Sequence, residues 1–73
     1  MNDSVIHRDP DILGGTPVFR GTRVPVRILF EYLEAGDSLD VFHTDFPSVM
    51  REQVSDVLRM AREQLTRADE ATD

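Results

Sequence analysis

Residues 14–26 read GGTPVFRGTRVPV. Three of the four glycines, two of the four prolines and two arginines fall within these thirteen residues. Gly and Pro both oppose helix interiors, Gly by the entropy it loses and Pro by its missing N–H, so this run is a shaped connector and not a helix. Val18 and Phe19, an apolar pair flanked by breakers, suit a brief strand bracketed by turns. The residues before the connector read as extended and those after it as helical.

Upstream, the first four residues, polar after Met1, are expected to fray, and Val5 and Ile6 fit a short strand before the turn-forming Asp9-Pro10-Asp11. Ile12 and Leu13 add apolar contacts ahead of Gly14-Gly15. A second strand at residues 18–20 pairs with the first or with its copy in another subunit, because an isolated two-stranded ribbon is barely stable in water. Ile6, Val18 and Phe19 are therefore the residues expected at a dimer contact.

Downstream, Pro25 suits a first helical turn and pushes Val24 toward an extended conformation, so the first helix starts near Pro25. Val26, Leu29, Phe30 and Leu33 follow the i, i+3, i+4, i+7 template, Ile28 and Tyr32 widen that face, and Gly36 is the expected stop. Ser38 is the N-cap candidate of a short second helix carrying Leu39, Phe42 and Phe46, which Pro47 ends. A third helix carries Val54, Val57, Leu58, Ala61 and Leu65 on one stripe, with Arg51, Ser55, Arg59 and Arg62 together on another face. Residues 66–73 are acidic, lack an apolar stripe and are expected to fray. The chain is thus one domain over residues 1–65 followed by an acidic tail over 66–73.

A domain of 73 residues buries only about 60% of its unfolded surface, which leaves it marginal alone. Cysteine is absent, which removes disulfides, thiolate metal sites and Cys nucleophiles together and makes a homodimer the simplest source of added stability. No apolar run approaches the roughly 20 residues of a membrane span, and the N-terminus lacks the parts of a signal peptide, so a cytoplasmic protein is expected. The net charge of −6 is uneven: residues 1–30 hold four Arg against three acids and residues 31–73 hold four Arg against eleven. All the basic residues are Arg, which favours bidentate contacts with carboxylate or phosphate.

His7 and His43 are far apart and neither has a partner at metal-ligand spacing, so no metal, cofactor or catalytic role is expected. The glycines match neither the dinucleotide pattern nor a phosphate loop, which needs a Lys that this chain lacks; they read as turn formers. A short helix, a Pro-containing turn and an Arg-bearing helix compose a helix-turn-helix, with the third helix offered to the major groove. On pattern alone a generic three-helix fold fits equally, and the overall acidity opposes strong non-specific DNA binding.

Asp9-Pro10, Gly14-Gly15-x-Pro17, Gly21-Thr22-Arg23, Gly36-x-Ser38 and Phe46-Pro47 together resemble the bacterial domain-of-unknown-function family numbered four hundred thirty-three, an antitoxin-like group, over residues 6 to about 61. The resemblance implies a mainly α fold, a three-helix homeodomain-like helix-turn-helix with a short N-terminal β arm. It also implies a dimeric antitoxin that occludes a PIN-like ribonuclease toxin and binds its own operator DNA. Two positions depart from the family pattern: Met50 stands where relatives carry a helix-capping Thr, leaving Ser48 as the capping candidate, and His43 replaces an apolar residue. On this reading Arg51, Ser55, Arg59 and Arg62 approach bases or phosphates while Arg20 and Arg23 clamp the nucleic-acid backbone. The acidic tail is a candidate toxin-binding segment, and the principal rival is a protein-binding adaptor that does not touch DNA.

Overall fold

A computed structural model describes residues 4–71 of the chain, with side-chain surroundings for residues 4–67. The expectations for residues 1–3 and 72–73 lie outside the described residues. Strand β1 (Ile6–His7) and strand β2 (Val18–Phe19) form an antiparallel pair in which Ile6 faces Phe19 and His7 faces Val18. The chain then doubles back: the Phe19 amide donates to the Val24 carbonyl at 3.0 Å, and Val18 bridges Pro25. β2 is therefore flanked on both sides by its own chain, and the pairing left open between one subunit and two is made within one. Val18 and Phe19 are both 0% exposed. A contact between subunits through those two side chains requires opening this interior, and of the three residues expected at a dimer contact only Ile6 keeps an accessible part.

The reversal is built by Gly21-Thr22-Arg23. Gly21 sits at φ +82, where a Cβ is disfavoured, and the Thr22 hydroxyl donates to the Phe19 carbonyl at 2.8 Å while accepting from the Val24 amide at 3.0 Å. Ahead of β2, Leu13–Gly15 winds one 3-10 turn with positive φ throughout, including 51° at Leu13, which is not a glycine.

Helix α1 (Val26–Glu34) begins directly after Pro25 and ends on a left-handed Gly36 at φ +88. The Gly36 amide donates to Leu33 at 3.0 Å and the Asp37 amide to Tyr32 at 2.9 Å, two bonds that satisfy carbonyls the helix leaves open. Helix α2 (Leu39–Asp45) is capped by Ser38, whose hydroxyl accepts from the Val41 amide at 3.3 Å. Helix α3 (Arg51–Ala71) starts differently from expectation. Gln53 and not Ser48 provides the capping contact, its Oε1 accepting the Met50 amide at 2.9 Å, while its Nε2 donates to the Arg20 carbonyl at 2.9 Å and ties α3 to the ribbon. This is half of a capping box, with the N3 side chain present and the N-cap hydroxyl replaced by a thioether.

The interior gathers Phe19, Val26, Leu29, Phe42, Val49, Val54 and Val57, with Leu58 packed against it. Phe42 is its hub: ring centroids lie 6.1 Å away at Phe19, 5.5 Å at Tyr32 and 5.2 Å at Phe46. Burying such a ring contributes about 1.5–3 kcal/mol, and tilted aromatic pairs add about 0.5–1.5 kcal/mol. His43 packs edge-on against Phe42 at 5.5 Å, as a partly buried histidine does.

One expectation for the third helix changes. The helix itself continues past residue 65 to Ala71, since no Gly or Pro interrupts it and the Thr66 hydroxyl donates to the Arg62 carbonyl at 2.9 Å. Leu65, the last member of the expected stripe, is 73% exposed, because the interior ends before the helix does. Among the described residues no helix is long and apolar enough to cross a membrane.

Candidate nucleic-acid interface

The α2–α3 connection spans residues 46–50 and is anchored rather than loose. The Phe46 amide donates to Phe42 at 2.9 Å, the Val49 amide to Phe46 at 3.1 Å, and Val49 is buried at 3% exposure. This fixes the start of α3 against α2. With 3.6 residues per turn, Arg51, Ser55, Arg59 and Arg62 fall within about a quarter of the helix circumference, and all four are exposed. The structure thus brings these four expected residues onto one accessible face.

Two of the cations on that face are already paired. Arg51 Nη2 donates to Asp40 Oδ1 at 3.0 Å across to α2, and Arg59 Nη1 donates to Asp56 Oδ1 at 3.0 Å within α3. Exposed pairs of this kind are worth about 0–1 kcal/mol, so a phosphate can replace either aspartate at small cost. Arg62 has no carboxylate partner among the described residues.

Arg20 and Arg23 belong to a different feature. They line an open cleft of about 740 Å³ with, among others, Ile12, Val24, Pro25 and Phe46, and none of the α3 arginines reaches it. The Arg20 Nε donates to the Ser4 carbonyl, which holds its side chain along the ribbon. Gln53 is the residue that the sequence reading missed. Its signal was present in the spacing, since a Gln three residues after a cap position is half of a capping-box pattern. Among the described residues no three of His, Cys, Asp and Glu gather as a metal-binding group.

A two-stranded ribbon carried on three helices, with an anchored turn presenting an arginine face, defines a small, mainly α helical domain. The chain belongs to the family described as Protein of unknown function (DUF433), whose profile matches residues 6–61. It is 44% identical over 50 residues to "Uncharacterized protein y4eO" of Sinorhizobium fredii (strain NBRC 101917 / NGR234), an alignment covering 68% of this chain and 23% of that protein. The chain thus spans about a quarter of the length of the curated relative it matches. No solved structure matches it.

Proposed function

We propose that the chain is a homodimeric, cytoplasmic antitoxin that binds a PIN-like ribonuclease toxin and represses its own operator through α3. The observation that carries the DNA-binding part is the exposed Arg51, Ser55, Arg59 and Arg62 face, presented after a short helix and an anchored turn. One such face on a chain of net charge −6 neutralises few phosphates, and duplication by a two-fold dimer supplies the second set that operator binding requires. Ile6, Pro17, Val26 and Phe30 line an apolar groove of about 350 Å³, which offers the second copy a surface to cover. The toxin part rests on the resemblance set out above.

A gel-shift titration with the DNA upstream of the gene tests this reading. A shift that weakens steeply with salt supports it, and the absence of a shift at low salt, with the partner protein added, removes the repressor role. A second reading, a protein-binding adaptor without DNA, is favoured by the pairing of Arg51 with Asp40 and Arg59 with Asp56. An adjacent gene for a PIN-like nuclease favours the antitoxin over the adaptor.

A further inference from the structure

The cleft between the Gly21-Thr22-Arg23 turn and the α2–α3 connection combines properties that the α3 face lacks. It is concave, with a volume of about 740 Å³, and Ile12, Val24, Pro25 and Phe46 give it apolar walls. Arg20 and Arg23 bring two permanent positive charges to it. Among the described residues Arg23 has no carboxylate partner, whereas Arg27, Arg51 and Arg59 each have one. In a chain with 14 acids and 8 bases, an exposed arginine without an acid beside an apolar hollow leaves its guanidinium available to another molecule.

The walls are also held in place. Thr22 bonds both sides of its turn, to Phe19 at 2.8 Å and from Val24 at 3.0 Å. The Arg20 carbonyl is held by Gln53 at 2.9 Å and its guanidinium by the Ser4 carbonyl. A site whose backbone is fixed beforehand loses less freedom when a ligand arrives.

We propose that this cleft docks an acidic peptide segment of a partner protein, with a carboxylate on Arg23 and a neighbouring apolar side chain against Val24, Pro25 and Phe46. Arginine's planar fork matches a carboxylate through two parallel hydrogen bonds. A phosphate backbone also matches the charge, but it brings no apolar group to cover the walls, and the chain's net charge of −6 repels a polyanion more than a short peptide. The proposal stands apart from the operator reading, because the cleft shares none of the α3 face residues, and it assigns Arg20 and Arg23 to protein binding and not to DNA.

The test is a titration of the isotopically labelled full chain, followed by amide resonances at low salt, with a short acetylated peptide of Glu, Leu and Phe. The same peptide with Gln for Glu and a short DNA duplex serve as comparisons. Saturable shifts centred on Ile12, Thr22, Val24 and Ser48 are expected with the Glu peptide, with about tenfold weaker binding for Arg23→Glu and unchanged binding for Arg67→Glu. Arg23→Gln replaces Arg23→Glu if circular dichroism shows the latter unfolded. Absent saturation, equal binding by the Arg23 variant, or tighter saturation of the same amides by the duplex overturns the proposal.

Discussion

The hydroxyl of Tyr32 donates a 2.6 Å hydrogen bond to the carboxylate of Asp45, joining α1 to the last residue of α2. The same ring stands edge-on to Phe42 and Phe46. The bond needs the phenolic proton, so it holds the Tyr32 pKa above its ordinary 10.0, with partial burial and the charges of Asp45 and Asp37 acting in the same direction. A folded-state pKa raised in this way contributes stability that is complete below the unfolded value and lost as pH rises through the folded one. The chain has one Tyr and no Lys, so Tyr32 is the side chain whose titration sets the alkaline limb. Melting temperature is expected to hold steady up to about pH 10 and fall beyond it. Tyr32→Phe should lower the plateau and flatten that fall; a variant with the same alkaline limb would contradict the assignment.

The start of α3 predicts substitutions of opposite sign. Met50 is 67% exposed and occupies the cap position without an acceptor, so Met50→Thr should complete the capping box and stabilise the domain by about 1 kcal/mol. Gln53→Ala removes both the bond to the Met50 amide and the bond to the Arg20 carbonyl, at a cost of about 1–2 kcal/mol. Urea denaturation measures both, with the slope unchanged.

Phe42 and Leu65 are both apolar helix positions and differ in everything that matters energetically. Phe42 is 0% exposed and Leu65 is 73% exposed. Phe42→Ala should cost about 3–5 kcal/mol, enough to unfold much of so small a domain, whereas Leu65→Ala should fall within about 0.5 kcal/mol of the parent. Thermal melts of the two variants decide the matter, and a large loss at Leu65 would show that this side chain is covered in solution.

If the α3 face binds DNA, Asp56 competes with it by holding Arg59 at 3.0 Å. Asp56→Asn is then expected to tighten operator binding and steepen its salt dependence, and Arg59→Ala to weaken binding and reduce the slope by about one. An affinity indifferent to both substitutions would remove Arg59 from the interface.

The helix boundaries were legible because each is written in one or two residues: Pro25 before α1, Gly36 after it, Ser38 at the cap of α2 and Pro47 beyond its end. Local chemistry decides such positions, and a sequence displays local chemistry directly. The choice between pairing within one chain and pairing between two was not legible. It depends on the doubling back at Gly21, which lets Val24 and Pro25 cover the second edge of β2. Gln53 was missed because half of its role lies 33 positions away, at the Arg20 carbonyl. Leu65 was misread because periodicity marks a face of a helix without saying where the neighbouring elements stop. For the candidate site, the face shared by Arg51, Ser55, Arg59 and Arg62 was readable from spacing. The separation of Arg20 and Arg23 into a cleft of their own required the tertiary structure.

Helix α3 outruns the body that it belongs to. The last residues it gives to the interior are Val57 and the half-buried Leu58, Ala61 is still partly shielded, and every described side chain from Arg62 to Arg67 is exposed. The family profile ends at the same point, residue 61. One continuous helix therefore has two thermodynamic regimes. Its first turns open only when the whole domain unfolds, while the later ones answer to a local helix–coil equilibrium, which is marginal in water for so short a stretch. Amide exchange along α3 should step down after Ala61, and a molecule that lay along the later turns would change their order without disturbing the core around Phe42.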